Sequence, residues 1–236
     1  MLTSEITLLC GNHHDEKTRG FLPNSVVIAA NEDPWNVRSG VTKPYTLDYS
    51  GNDFWVNVGF NLFEGTNRGP RADVQIIRID AKPMLWLELG DGHFWLNLDI
   101  SDSNNNPIFR ISNNELIVNV NSWDIEIIGT RLLIRAAQRR ILFEAAFSPP
   151  NGVSINRGLF IHNGIELLVT SDWCALLNNA FIIRGNRASG CFAGIVLGDD
   201  SATLQSAFRI RRIKRDGWDR EAAIAMLRRI KRQATK

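Results

Sequence analysis

Apolar and polar residues alternate along most of the chain between residues 45 and 198. In "HFWLNLDI", residues 93–100, bulky apolar and polar side chains take turns, and "IFRIS" at residues 108–112 repeats the alternation. The intervening "SDSNNNP" consists of residues that favour turns. Because alternation places successive side chains on opposite faces of an extended strand, these segments predict an antiparallel hairpin.

The same pattern recurs in short segments on both sides of this hairpin. Upstream are "DFWVNVGFNLF" and "DVQIIRI", and downstream are "ELIVNV", "WDIEIIG", "RLLIRA" and "RILFEAAF". The pairs Asn-Asn, Asn-Ser, Gly-Thr and Gln-Arg interrupt the downstream segments, at the spacing of roughly 8–12 residues that is typical of a sandwich or barrel. The sequence therefore predicts a mainly β fold, an antiparallel many-stranded sandwich or distorted barrel.

The residues that separate the predicted strands change after Pro149 and Pro150. Strands become shorter, and Asn-Gly or Gly-Asn pairs separate them. Short strands with polar corner residues are also typical of a β-solenoid, in which successive rungs stack. A β-solenoid is therefore the alternative architecture.

The two ends of the chain have a different pattern. Asn24 or Ser25 can cap a short helix through Ala30, and Pro34 would end it. At the other end, Asp219 can cap a helix over "REAAIAMLRRIKRQ", residues 220–233. We predict three regions: a small N-terminal cap and linker (1–44), a β domain (45–213) and a basic C-terminal helix (214–236). The apolar face of that helix carries Ala223, Met226, Leu227 and Ile230.

The net charge of +2 conceals a strong asymmetry. Residues 206–236 contain eleven Lys or Arg and three acidic residues, a net charge of +8, and the preceding 205 residues carry −6. A positive stripe on a helix is the electrostatic footprint of nucleic-acid binding, so we predict DNA or RNA as a partner of the C-terminal region. The candidate contacts are Arg209, Arg211, Arg212, Lys214, Arg215, Arg228, Arg229, Lys231 and Arg232.

Length and composition set broader limits. A chain of 236 residues, 44% hydrophobic, can bury the core of one large β domain or two smaller ones. No apolar run approaches the roughly 20 residues that cross a bilayer, and residues 1–9 lack the features of a signal peptide. Three widely spaced cysteines do not indicate a disulfide framework. We therefore predict a cytoplasmic protein with reduced thiols, and exposed strand edges would permit a homo-oligomer.

Metal-ligating residue types are concentrated near the start of the chain, in "LLCGNHHDEKTRG" at residues 8–20. Cys10, His13 and His14 are suited to zinc, and a histidine beside Asp15 or Glu16 could share in a Mg- or Mn-type site. Because neighbouring side chains diverge, His13 and His14 are not expected to bind the same ion.

This stretch resembles the second half of the HNH (ββα-metal) nuclease finger. On that resemblance, Cys10 and His13 match the second pair of the structural zinc knuckle, and His14 matches the final histidine, which ligates the catalytic divalent ion. The family's first half supplies a Cys-x2-Cys pair and an Asp-His whose histidine activates water, and only nine residues precede Cys10.

The resemblance implies a function for the β region. We expect an accessory or recognition domain of an HNH-nuclease-like protein, without catalytic activity in this chain alone, and another polypeptide could supply the missing half. The alternatives are a divalent-metal-dependent endonuclease acting on DNA and an oligomerising structural β protein.

Other chemistry-bearing residues have structural explanations. Trp55, Trp86, Trp95 and Trp123 each lie within an alternating segment, which favours packing in the core over stacking on a sugar or base. Cys191 has no nearby histidine in sequence and is expected to be a small buried residue.

Overall fold

The structure is a computed structural model that describes residues 17–20, 23–33, 45–46, 50–67, 69, 71–90, 92–118, 124–138, 140–199 and 204–234. The chain divides into two compact units, Met1–Lys43 and Pro44–Lys236.

The N-terminal unit contains helix α1, Asn24–Glu32. Its N-cap residue is Pro23, and no side chain hydrogen-bonds at that end. The predicted cap at Asn24 or Ser25 is therefore wrong, because the helix has already begun there and proline at φ −62° is preorganised for a helix start. Pro34, the predicted stop, lies outside the described residues.

The larger unit contains the strands, a short 3₁₀ turn and a second helix. The turn is Leu177–Asn179 and helix α2 is Arg220–Ala234. In chain order the strands are β1 (Tyr45–Thr46), β2 (Asp53–Val58), β3 (Asn61–Thr66), β4 (Arg71–Ile79), β5 (Lys82–Gly90), β6 (His93–Ser101), β7 (Pro107–Ser112), β8 (Glu115–Val118), β9 (Asp124–Ile128), β10 (Arg131–Ala137), β11 (Arg140–Ser148), β12 (Gly152–His162), β13 (Ile165–Val169), β14 (Cys174–Leu176), β15 (Phe181–Ile183), β16 (Arg187–Ser189), β17 (Ala193–Leu197) and β18 (Ser206–Ile210).

These strands form two open sheets. One has the order β1-β8-β7-β6-β5-β4-β17-β18. The other runs β15-β14-β13-β12-β11-β10-β9, and β2, β3 and β16 branch from β12. With 57% of the described residues in strands and 13% in helices, the mainly β fold is confirmed.

Parallel pairs make both sheets mixed rather than purely antiparallel. They join β2 to β12, β3 to β16, and β17 to both β4 and β18. In three of these four pairs, β2–β12, β3–β16 and β4–β17, a late strand returns over a long connection to a strand formed early in the chain, which local alternation does not encode. The segment from β12 to β15 is an antiparallel meander, so its strands are not the stacked rungs of a solenoid.

The core lies between the two sheets. Side chains from both sheets belong to one buried apolar cluster, and the rings of Phe109 on β7 and Phe143 on β11 meet edge to face at 4.9 Å. Two open sheets that share one core form a β-sandwich.

Three of the tryptophans predicted to pack in the core do not occupy it. Trp55, Trp86 and Trp95 are half-buried, whereas the residues on either side of each are buried. Strict alternation puts the neighbours inside and the indoles on the outer sheet faces, so the predicted core packing is wrong for these three. Trp123 lies outside the described residues.

Helix α2 begins as predicted. Asp219 Oδ1 accepts the N–H of Ala222 at 2.9 Å, which caps the first turn. Leu227 is 1% exposed, but Met226 is 51% exposed, so the buried face is rotated away from Met226 and toward Ile224. Within the ranges given above, no helix has the length and apolar character needed to cross a membrane.

Candidate nucleic-acid interface

The basic C-terminal segment starts on an edge strand. Strand β18 pairs in parallel with β17, with Phe208 opposite Ile195 and Arg209 opposite Val196. Arg209 is half-buried, and its Nη2 donates to the carbonyl of Leu204 at 3.0 Å. The Arg209 side chain therefore forms part of the structure of the sheet edge.

Arg215 is held by an internal ion-pair network. Its guanidinium donates to both carboxylate oxygens of Asp80, with Nη2 2.8 Å from Oδ1, and Nη2 also lies 3.2 Å from Asp199 Oδ2. The Asp199 amide donates to Asp80 Oδ1 at 2.9 Å, and Asn163 Nδ2 donates to Oδ2 at 3.2 Å. We call Asp80, Asn163, Asp199 and Arg215 the Asp80 network.

The Asp80 network is tightly packed. Partial burial by itself would raise the pKa of Asp80, but hydrogen bonds from Arg215, the Asp199 amide and Asn163 hold that pKa below its ordinary value. Gly198 has φ +82°, and a Cβ there would lie 2.2 Å from Asp80 Oδ1, so this close approach requires glycine. The carboxylate of Asp80 is ionised at neutral pH and fixes the loop after β18.

Asn178 holds the next part of the loop after β18 by hydrogen bonds. Its buried side chain donates to the carbonyls of Lys214 and Gly164, both at 2.8 Å, and accepts the amide of Glu166 at 2.8 Å. One amide group thus joins the 3₁₀ turn, the β12–β13 turn and the C-terminal loop.

Among the described residues, helix α2 is docked by packing and by one ion pair. Leu227 belongs to a buried cluster with Trp173, Ala175 and Leu177, and Trp218 and Ile224 pack against it. At the start of the helix, Arg220 Nε lies 2.9 Å from Glu166 Oε2. Burial raises the pKa of Glu166, and Arg220 partly opposes that shift.

The structure separates the nine basic candidates into three groups. Arg209 and Arg215 serve internal contacts, and Lys231 and Arg232 have side chains outside the described set. Lys214 is exposed, and its ammonium donates to Gly217 O at 2.8 Å. Of the nine candidates, four have exposed guanidinium groups with no ion pair among the described residues; they are Arg211, Arg212, Arg228 and Arg229.

The candidate metal ligands Cys10, His13 and His14 lie outside the described residues. The described residues contain no group of three or more His, Cys, Asp or Glu side chains that could hold a metal ion. Cys174 is buried, its thiol donates to Val58 O at 3.2 Å, and burial raises its pKa to about 12. That thiol is therefore structural and unreactive at neutral pH.

Cys191 is half-buried rather than fully buried, and it lines a cleft of about 320 Å³. Phe54, Val74, Leu89 and the exposed Phe192 form its apolar walls. None of the described lining residues is charged.

Sequence reasoning missed one exposed feature, the turn between β2 and β3. The segment "DFWVNVGFNLF", which was grouped with the alternating segments without a turn being placed in it, is a hairpin whose turn is Gly59 and Phe60. Alternation gives no signal of this turn, because apolar residues continue at even positions through Phe60 and Leu62, whereas the buried positions change from even numbers in β2 to odd numbers in β3.

Comparison of the chain with models of known protein families, with curated proteins and with solved structures found no match.

Proposed function

We propose that the unit Pro44–Lys236 is a recognition module that binds DNA or RNA, accessory to an HNH-nuclease-like segment and without catalytic activity in this chain alone. The observation that carries the proposal is the set of four exposed arginines, Arg211, Arg212, Arg228 and Arg229, on a segment anchored to the sandwich.

Anchoring matters because ordering a flexible chain on a ligand costs free energy. The Asp80 network, Asn178, the Arg220–Glu166 pair and Leu227 fix the backbone that carries the arginines before any ligand arrives. Guanidinium groups match phosphate oxygens with two parallel hydrogen bonds, so a fixed set of exposed arginines suits a polyphosphate ligand.

Binding is tested by fluorescence anisotropy with labelled DNA and RNA over a series of salt concentrations. The double variant Arg228→Ala/Arg229→Ala should bind more weakly and reduce the slope of log K against log salt by about 1.4 to 1.8, for two lost phosphate contacts. A matched control is Arg110→Ala/Arg131→Ala, which changes the net charge equally but removes arginines paired with Asp99 and Glu144. An equal loss in both double variants would show a net-charge effect and contradict the proposal.

Point substitutions are preferable to removal of the basic segment. Residues 206–236 include an entire strand of the larger unit's first sheet, and Ile213 is buried in the core. Deleting them would damage the fold as well as the charge, so lost binding would be ambiguous.

The nuclease context is a separate part of the proposal and rests on the resemblance of residues 8–20. Purified chain incubated with plasmid DNA and Mg²⁺, Mn²⁺ or Zn²⁺ should leave the plasmid intact, because residues 8–20 resemble only the half of the finger that does not carry the water-activating histidine. Cleavage that disappears in a His14→Ala variant would instead support the endonuclease alternative.

Self-association is a second candidate, favoured by strand β9. Among the described residues its only paired neighbour is β10, and Ile127 and Ile128 are 39% and 53% exposed. An apolar edge strand is a template for pairing with another chain. Light scattering should show an oligomer that Ile128→Lys converts to monomer; a monomeric parent protein would dismiss this candidate.

A further inference from the structure

The turn between β2 and β3 presents an aromatic ring to solvent. Phe60 has φ +62°, in the left-handed region, and is 57% exposed. Bulky residues avoid this region because Cβ approaches a neighbouring carbonyl oxygen, at a cost of roughly 1–2 kcal/mol. Burial does not compensate for the strain, since more than half of the residue remains in water.

The surroundings of Phe60 force this conformation. Asn61 is fully buried, and its Nδ2 lies 3.0 Å from each of the carbonyl oxygens of Val58, Gly59 and Ile183. The amide of Gly185 donates to Phe60 O at 3.0 Å. A strained residue that is fixed by its neighbours and exposed to solvent is a candidate for a binding role.

A guanidinium group lies beside the ring of Phe60. The guanidinium carbon of Arg184 lies 5.9 Å from the centroid of Phe60, within cation–π range, and Arg184 is itself exposed. An exposed aromatic ring beside a guanidinium group provides two flat surfaces on which bases stack and a charge that attracts phosphate.

The turn is connected to the docking site of α2. A Cβ on Gly59, which has φ +52°, would lie 2.5 Å from Trp173 O, so the backbones of the turn and of Trp173 are in close contact. The indole of Trp173 packs in the cluster that holds Leu227. The turn that carries Phe60 therefore contacts a residue of the cluster in which Leu227 of α2 is buried.

We propose that Phe60 and Arg184 form a stacking platform that makes the module prefer single-stranded over duplex nucleic acid. This inference rests on the proposed function, since the basic segment supplies the phosphate contacts. The bases of a single strand are free to stack on Phe60, whereas bases in a duplex already stack on each other.

The test uses the full chain, a labelled thymidine homopolymer of about 20 nucleotides and a duplex of equal length. Phe60→Asn should weaken single-strand binding about 5- to 150-fold, the equivalent of one lost base stack, and leave duplex binding unchanged. Asparagine tolerates a positive φ, so the melting temperature of this variant should equal or exceed that of the parent protein. Arg184→Gln, like Phe60→Asn, should weaken single-strand binding.

The matched control is Phe192→Asn. Phe192 is 53% exposed but lies by the opposite end of β3, about 20 Å from Phe60 along the strand. This control should change neither affinity.

The outcomes distinguish the two proposals. If the parent protein binds both probes and Phe60→Asn leaves single-strand affinity unchanged, the stacking platform is overturned and the proposed function stands. An equal loss on both probes also overturns it. If Phe60→Asn abolishes self-association and leaves DNA affinity intact, Phe60 is a protein contact and the platform is overturned. If the parent protein binds neither probe, both proposals fail.

Discussion

Asp80 occupies a turn position with φ +46°, and aspartate is one of the few residues that adopts such a conformation readily. Its side chain is 9% exposed and lies at the centre of the Asp80 network. The same residue thus shapes the β4–β5 turn and anchors the loop that follows β18.

Asp80→Asn should lower the free energy of unfolding by about 1–3 kcal/mol, because Arg215 loses a charge-assisted hydrogen-bond partner. Asparagine also tolerates a positive φ, so the turn itself should be retained. Urea denaturation measures the change. Asp53→Asn, at an exposed carboxylate whose Oδ1 accepts a hydrogen bond from the Thr66 hydroxyl, serves as a comparison; an equal loss there would argue against a special role for Asp80.

The contribution of Asp80 should depend on pH with a definite sign. Its pKa is lower in the folded state, so the stabilisation is complete above the ordinary carboxyl pKa of about 4 and is lost as the pH falls further. Urea midpoints of the parent protein and of Asp80→Asn should differ at pH 7 and converge in acid. A difference that grows on acidification would refute this assignment.

Sequence reasoning at the residue scale identifies charges but not their partners. Arg215 and Arg228 contribute equally to the charge of +8, yet only Arg215 is paired with Asp80, 135 positions earlier in the chain. Phe60 illustrates the same limit, because its exposure depends on Asn61 hydrogen-bonding to Ile183. Contacts at that separation leave no local pattern.

Helix α2 depends on a narrow contact with the sandwich. Leu227 is its one fully buried residue among those with described side chains, and Ile224 assists. The periodicity correctly indicated an amphipathic helix. Several rotations of the helix about its axis would bury alanine and aliphatic side chains. The shape of the sandwich surface decides which rotation is adopted.

Leu227→Ala should destabilise the protein by about 2–5 kcal/mol and loosen the helix from the sheet. Tryptophan fluorescence should report the change, because Trp173 and Trp218 pack beside Leu227. Met226→Ala, one position away and exposed, is the control and should change stability little. Equal losses in the two variants would contradict the docking geometry.

The positions of the strands were more predictable from the sequence than the pairing between them. The hairpin of β6 and β7 follows directly from alternation on both sides of a turn-rich segment. The pairing of β17 with β4 does not, because "GIVLG" could serve as a buried strand in any parallel or sandwich sheet.

On the scale of the whole molecule, the C-terminal residues complete the sandwich. Every residue of β17 is buried, and β18 covers its outer edge. Truncation after Gln205 would expose that edge and remove Arg215 from Asp80.

We expect truncation after Gln205 to yield aggregated or unfolded protein, measured by soluble yield and circular dichroism. Truncation after Asp216, which keeps β18 and Arg215, should be better tolerated despite the loss of α2. Similar behaviour of both truncations would mean that the helix, and not the edge strand, determines folding.

The parallel pairing of β17 with β4 also has a kinetic consequence. Ile77 meets Ile195 across more than one hundred residues of chain, so loop closure is entropically expensive and folding should be slow for a domain of this size. During synthesis, β4 and β5 leave the ribosome long before β17 exists, and the growing chain must remain soluble with that sheet unfinished. Final assembly therefore waits for nearly the whole chain, and premature termination within the last third would leave a product that chaperones and proteases recognise as incomplete.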